Sequence, residues 1–453
     1  MVYREGLLGG GELGKIKYTS SLIDDAEIYR ETILAMISHV NELSRVRAIP
    51  SGKAELIINA LREMAKMPYN PGEGYEDVHE YIEAVLMSKL GDDGGWVGLG
   101  RSRNDHVATA LRLRLRRLIL ELALRVIELR RAALNKAVET AERLIVGSTH
   151  RQPAQVTTLG HYMLYLDELS SDFLTNLLST YEIVNRSPLG SGPLAGTMVG
   201  LDRLREAGEL GFNEVVVNTI YATGSRYFML APVSLVVSYL VELGRFINNI
   251  EMWLMPQLNY ITVNPSHLAT SSIMPHKRNP ATLEVFRARI GEAIGHLMAM
   301  YSVERPVEAG YQLDLQEETR HTWAIMRIAD EGLVIMTDLI NGLRVNEGRV
   351  NEDLSKYPVT AAEYAELMSI NEGIPFRRAH RSVAVMVKEG GKPGINPLDS
   401  INGKAILGGP NPSQVAEVAK ARLSELETTE TRVRELLANI NNAESRLIGD
   451  RHG

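Results

Sequence analysis

The chain has 453 residues, 45% hydrophobic and 23% charged, the balance of an ordinary globular protein. Its formal net charge of -7 excludes general nucleic-acid affinity, which needs a basic surface. The lack of cysteine excludes disulfides, iron–sulfur clusters, thiolate zinc sites and cysteine nucleophiles, and fits an intracellular protein or a hot habitat. The length suggests two or three domains, or one large helical body with attachments.

The opening "MVYREGLLGGGELGK" (1–15) has no apolar signal core. Within it "GGGELG" (9–14) fits G-x-G-x-x-G, but no strand precedes it and no βαβ unit follows, so a dinucleotide reading fails. A mixed N-terminal region, residues 1–105, closes in the glycine-rich "GDDGGWVGLGRSRND" (91–105). From His106 to Val146 there is neither Gly nor Pro. Leu111, Leu115, Leu118, Leu122, Val126, Leu129, Ala133 and Ala137 recur at steps of three and four, which predicts one long helix over 106–146. Leu113, Leu120, Leu124 and Ile127 widen its stripe, so it packs on several sides. Arg112, Arg114, Arg116 and Arg117 resemble a nucleic-acid patch but read as solvated positions between core leucines.

Further helices are predicted at 160–184, about 228–255, 281–303 and 318–343. The run "FMLAPVSLVVSYLVEL" (228–243) contains Pro232 and is shorter than the roughly 20 residues of a membrane span, so it reads as a buried core helix. No convincing alternation of strands and no repeat is visible. The fold class is mainly α: an N-terminal region over 1–105, a long-helix bundle over 106–355, and a small helical end over 356–453 with its boundary near "SKYPVT" (355–360).

Three loops carry the chemistry. "GRSRNDH" (100–106) offers the fork-shaped guanidinium groups of Arg101 and Arg103, suited to carboxylates, beside Ser102 and Asn104 at a helix start. Asn104 or Asp105 capping the helix is the plainer reading, and both can hold. "GSTHRQPAQVTTLGH" (147–161) sets Thr149 and His150 in a polar loop, either structural or able to bind and transfer protons. "TSSIMPHKRNP" (270–280) packs two serines, His276, Lys277, Arg278, Asn279 and two prolines into a non-helical segment, a solvent-facing turn or an anion site. No histidine pair has metal-ligand spacing beside a carboxylate, so no metal is expected.

The last loop resembles the signature of the fumarase/aspartase superfamily, G-S-S-x-M-P-x-K-x-N-P, with Thr270 in place of the leading Gly. Within it the chain is most similar to the argininosuccinate lyase family. "RSRND" (101–105), "NRSPLGSGPLAGT" (185–197, with Pro193 for Ala), "YQLDLQEET" (311–319) and "PFRRAH" (375–380) resemble its motifs, as do "EDVH" (76–79) and "TSSLIDD" (19–25). Three departures stand out. "LLGGGEL" replaces L-W-G-G-R-F. "NTIYATGSRYF" (218–228) keeps only the Arg and Phe at the end of its family segment. The lysine that closes Y-N-x-D-L-Q-E-D-K is Thr319, followed by Arg320, a candidate substitute cation.

The resemblance implies a three-domain fold around a long helix bundle, no cofactor, and a cytoplasmic homotetramer whose sites are shared between chains. It implies reversible elimination of argininosuccinate to arginine and fumarate. Ser271 would take the proton, with Lys277 and Asn279 stabilising the carbanion. Thr149 and His150 would serve the leaving nitrogen, His150 as donor or as orienter. Ser21, Ser102, Arg103, Asn104, Tyr311 and Gln316 would bind substrate. Its alternatives are a related enzyme such as adenylosuccinate lyase, disfavoured by "RSRND" and "PFRRAH", and a structural protein like the lens proteins of this family, disfavoured by the presence of all the proton-transfer residues.

Overall fold

A computed structural model describes residues 13–449. The start of the "GGGELG" segment, and with it most of the "LLGGGEL" departure, lies outside the described residues.

The N-terminal region contains α1 (Leu13–Thr19), α2 (Tyr29–Arg45), α3 (Ser51–Met64) and α4 (Val78–Leu90). The long helix follows as α5 (Arg103–Glu139). It stops earlier than the stripe predicts. Thr140 caps it, and the β-branched run that follows forms β1 (Leu144–Thr149), paired antiparallel with β2 (Gln152–Thr158). This hairpin corrects the sequence reading, which extended the helix to Val146 and saw no strands. Apolar runs this short do not distinguish helix from strand; the cross-strand partner decides. Gly147 sits at the bulge in the hairpin, where a Cβ would come within 2.9 Å of the Gln155 carbonyl.

Next come α6 (Leu159–Val184), then β3 (Arg186–Ser187) paired with β4 (Glu214–Val215) around α7 (Arg203–Glu209), and α8 (Thr219–Gly224). The bundle continues with α9 (Tyr227–Leu254), α10 (Ala281–Glu304) and α11 (Glu318–Gly342), close to the predicted spans. Between α9 and α10 lie β5 (Ile261–Thr262) and a small hairpin of β6 (Ala269–Thr270) and β7 (Arg278–Asn279); β5 pairs with β8 (Arg344–Val345). The chain ends in α12 (Glu347–Lys356), α13 (Ala361–Glu372), α14 (Phe376–Lys388), α15 (Pro397–Gly403) and the long α16 (Pro412–Ile448).

Side-chain ties fix the direction of each bundle helix. Arg130 Nε meets Asp167 Oδ1 at 2.8 Å and Arg112 Nη1 meets the Ile183 carbonyl at 2.8 Å, so α6 runs antiparallel to α5. Arg125–Asp330 (3.0 Å) and Lys136 to the Leu343 carbonyl (3.1 Å) set α11 parallel to α5. The ring contacts Tyr162–Trp253 and Phe173–Tyr239 set α9 antiparallel to α6, and the pairs Ser234–Tyr301 and Glu251–Arg287 set it antiparallel to α10. The bundle therefore has two ends. One gathers the starts of α5, α9 and α11 with the finishes of α6 and α10. The other gathers the opposite termini, including the β1–β2 hairpin and the segment before α10.

Two of the α5 arginines correct the reading of a solvated face. Arg112 and Arg116 are fully buried. Arg116 donates to Asn185 Oδ1 and to the Leu210 and Gly211 carbonyls, and stacks 4.4 Å from the Phe212 ring. Arg112 serves carbonyls at the C-terminus of α6 and lies 3.9 Å over Phe228. Carbonyls at a helix end lack internal partners and attract cations. Helix α9 is long and apolar enough to cross a membrane by length and composition, but 56% of its most apolar window is buried within this one chain. The rest stays uncovered, as does one side of α10, where Ile294, Met298 and Tyr301 are exposed at helical spacing.

Candidate active site

The first loop sits at the start of α5. Ser102 is the N-cap, in a capping box: its Oγ accepts from the Asn104 N–H at 3.2 Å, and its own N–H donates to Asp105 Oδ1 at 3.0 Å. The cap is thus Ser102 rather than Asn104 or Asp105. Asp105 is buried, takes the Gly192 N–H at 2.9 Å, and is pushed up to about 6 by burial. The guanidinium forks expected to meet substrate are held by the protein's own acids. Arg101 pairs with Glu83. Arg103 Nε donates to Asp77 Oδ2 at 2.6 Å and Nη1 to Glu76 Oε2 at 2.9 Å. Asn104 Nδ2 donates to the Pro193 carbonyl at 3.0 Å.

Against this loop lies a small cavity of about 20 Å³, lined by Ser21, Tyr311 and Gln316 together with Asp25, Asp77, Arg226 and Thr319. Ser21 Oγ donates to Asp25 Oδ2 at 2.7 Å, which also takes the Val78 N–H at 3.1 Å. Burial, with Asp77 nearby, pushes Asp25 up to about 7. Gln316 Nε2 donates to the Thr19 carbonyl at 3.1 Å. Asp25 and Asp77 are not singled out by the sequence, and Arg226 stands out there only as the Arg that the 218–228 segment keeps from its family pattern. Each lies in a family-like segment, but the signal that marks them is burial, which a sequence does not display. Arg320 points away from the cavity: it is exposed and pairs with Glu317, so it does not replace the missing lysine.

The remaining predicted residues lie at the other end of the bundle. Thr149 faces Gln152 at the tip of the β1–β2 hairpin, and the two loop residues, His150 and Arg151, have φ of 53° and 60°. Such a two-residue turn normally carries Asn-Gly, because positive φ strains a residue with a Cβ by about 1–3 kcal/mol. The turn instead presents an exposed imidazole, and strain of this kind clusters at functional sites.

The serine loop connects β6 and β7, with Ala269 opposite Asn279 and Thr270 opposite Arg278. Ser271 Oγ accepts the N–H groups of Met274 (3.1 Å) and Ile273 (3.3 Å). Two backbone donors on one hydroxyl oxygen favour its negative form. The Lys277 N–H closes the turn onto the Met274 carbonyl, while the side chains of Ile273, Met274 and Lys277 are exposed and Asn279 is half-buried. Just before β6, His267 is buried, and its Nδ1 lies 2.9 Å from Thr282 Oγ1.

The predicted residues therefore form two groups. Ser21, Ser102, Arg103, Asn104, Tyr311 and Gln316 lie at one end; Thr149, His150, Ser271, Lys277 and Asn279 at the other. The 37 residues of α5 separate them by about 55 Å, and the 24 residues of α10 separate Ser271 from Tyr311 by about 36 Å.

Comparison with known proteins places this geometry. A lyase family model matches residues 15–295. The argininosuccinate lyase of Pyrobaculum calidifontis is 44% identical over 422 residues, covering 93% of this chain and 97% of the relative. That of Pyrococcus furiosus is 38% identical, covering 97% of this chain and 98% of the relative. Among solved structures, an EDDS lyase in complex with formate superposes with a TM-score of 0.82 at 25% identity, covering 96% of this chain and 95% of that one. The exposed serine loop, the hairpin histidine and the polar pocket at the start of α5 thus sit on the scaffold of a carbon–nitrogen lyase. The chain belongs to the argininosuccinate lyase family, and its reaction is the reversible elimination of argininosuccinate to arginine and fumarate.

Proposed function

We propose that the working enzyme is a cytoplasmic homotetramer, serving arginine biosynthesis, in which each active site takes loops from different chains. The observation that carries this reading is the separation of the two residue groups. No single chain can bring Ser271 to Gln316 across the length of α10. The uncovered apolar stripe of α10 and the half-covered α9 supply surface for association. Closed symmetry then offers each site residues of both groups, drawn from three different chains. The division of the chain near 105 and 355 belongs to the same reading; it fits the start of α5 at Arg103 and the end of α12 at Lys356.

In this assembly Ser271 removes the proton from the carbon beside a substrate carboxylate. That C–H is a very weak acid, so the step needs two kinds of help. The alkoxide is favoured by the Ile273 and Met274 N–H groups and by the charge of Lys277. The doubly charged carboxylate that develops on the substrate is stabilised by Lys277 and Asn279, donors set in place before the reaction. His150 and Thr149, from another chain, serve the leaving guanidino nitrogen, which must gain a proton as the C–N bond breaks. Ser21, Ser102, Arg103, Asn104, Tyr311 and Gln316 hold the substrate. No cofactor takes part, because neither electrons nor an acyl group is transferred.

Mixing two inactive variants tests the shared site. Ser271→Ala and Gln316→Ala protein, dissociated together and reassembled, should regain activity, because about a quarter of the mixed sites receive neither lesion. No recovery in tetramers proven to contain both variants, or full activity in a monomer, overturns the reading.

A further inference from the structure

Arg151 takes the second place of the two-residue turn at the tip of the β1–β2 hairpin, with φ of 60°. Histidine is among the residue types that enter this left-handed region several-fold more often than most, so His150, at 53°, is the milder case. Arginine is not, and the second place of such a turn is where glycine is the usual choice. The Arg151 side chain is exposed, and among the described residues no hydrogen bond or ion pair holds it. Nothing in the chain's own fold therefore offsets the strained backbone at 151. Strain of this kind persists where a site needs the residue.

The charges around the turn indicate what that site holds. The hairpin segment 147–161 contains no Asp or Glu, and neither does the stretch 265–283 around the serine loop. The pocket at the other end of the bundle, by contrast, is lined by Asp25 and Asp77. Three cations stand on the two acid-free segments without an ion-pair partner among the described residues: Arg151, Lys277 and Arg278. Arg278 lies between Lys277 and Asn279 in the chain, and strand alternation at β7 turns it to the face opposite Asn279. Arg151 and Lys277 remain to meet an anion.

The reacting half of argininosuccinate is a dicarboxylate. Loss of the proton gives the carboxylate beside the C–H a second negative charge, and this is the charge assigned above to Lys277 and Asn279. The other carboxylate sits on the carbon that releases nitrogen, and nothing named so far answers it. His150 serves that nitrogen, and Arg151 is its chain neighbour, about 3.8 Å away at Cα. We propose that Arg151 grips the carboxylate on the nitrogen-bearing carbon, its planar fork meeting both oxygens, while His150 beside it serves the leaving nitrogen. This rests on the shared-site reading, in which the hairpin tip of one chain meets the serine loop of another. It makes Arg151 a specificity residue for the dicarboxylate and explains why the turn keeps a side chain where glycine would be relaxed.

The test separates the two products. Arg151→Gln should raise KM for argininosuccinate about thirtyfold, the loss of a hydrogen-bonded charge contact, and should weaken fumarate binding in parallel. Arginine lacks this carboxylate, so its binding should stay within about twofold. Arg151→Lys keeps the charge but loses the fork, so its fumarate affinity should fall between the two. Arg151→Gly removes the side chain and the strain together: fumarate affinity should fall as in Arg151→Gln while the melting temperature does not drop. Unchanged fumarate affinity in Arg151→Gln, or equal weakening of arginine and fumarate, overturns the assignment. A variant that loses its assembly in sedimentation but keeps its fumarate affinity would make Arg151 an interface residue and overturn it as well. Should Arg151→Gln fail to assemble, Arg151→Lys decides: a fall of about threefold or more in fumarate affinity supports the proposal, and none overturns it. Calorimetric binding of fumarate needs no turnover. Failure of the Ser271→Ala and Gln316→Ala mixture to recover would count against the shared site, and fumarate binding by the Arg151 variants would still judge Arg151.

Discussion

His267 Nε2 lies 3.0 Å from Asp338 Oδ2, joining the segment before the serine loop to the last turns of α11. The imidazole is buried, and its other nitrogen meets Thr282 at the start of α10. One side chain thus ties the base of the serine loop to two bundle helices, while the loop itself stays exposed. A reacting group on a loop depends on such support, since a displacement of about 1 Å can cost a hundredfold in rate.

His267→Ala should lower kcat at least about tenfold, with a smaller change in KM. It should destabilise the fold by about 1–3 kcal/mol, because Thr282 loses a buried partner. Steady-state kinetics and urea unfolding measure the two effects. Unaltered kcat would show that the loop holds its place without this anchor.

Ser271→Ala should abolish turnover while leaving substrate affinity within about tenfold, because a base acts in the transition state and binding is spread over many groups. Single-turnover kinetics with calorimetry separates the two. Substantial residual turnover would move the base elsewhere, with Ser272 the first suspect.

Arg320→Ala should change neither KM nor kcat by more than about threefold. Its guanidinium is exposed and engaged with Glu317, and a surface pair of this kind contributes about 0–1 kcal/mol. A large rise in KM would mean that Arg320 turns into the cavity when substrate binds.

Stability should fall as pH rises from the ordinary carboxyl range to about 8. Burial raises Glu318 to about 8 and both Asp25 and Glu31 to about 7, so over this window the folded chain holds protons that the unfolded chain releases. The unfolded state then binds fewer protons, and the slope of stability against pH is negative. Urea midpoints should be lower at pH 8.5 than at pH 5.5, and Glu318→Gln should shrink the difference. Equal midpoints for the wild-type protein would contradict this.

Arg116→Ala should destabilise the chain by about 3 kcal/mol or more, and Arg116→Lys should recover only a fraction of it. Three acceptors lose a donor at once, and lysine cannot reproduce the planar stack on Phe212. Thermal unfolding of the two variants gives the comparison.

The bundle and the chemistry are legible in the linear chain. Apolar residues at steps of three and four leave a long chain only one way to bury its stripe, so α6, α9, α10 and α11 can be read near their observed limits, and α5 is read as a long helix that runs about seven residues too far. Ten residues in fixed register from Ser271 to Pro280, with "RSRND" and "PFRRAH", carry the family. What pairs with what emerges only when the chain is folded. Leu144–Thr149 is a strand because Gln152–Thr158 lies against it. Arg112 and Arg116 are buried because carbonyls from α6 and from the turn after α7 come to meet them, which no periodicity announces. Arg103, read as a substrate fork, meets Asp77 and Glu76 from a distant segment. The placement of Ser271 and Gln316 at opposite ends of the bundle follows from helix direction alone. Direction is set by side-chain contacts between residues far apart in the chain, and a linear pattern of apolar positions carries no information about them.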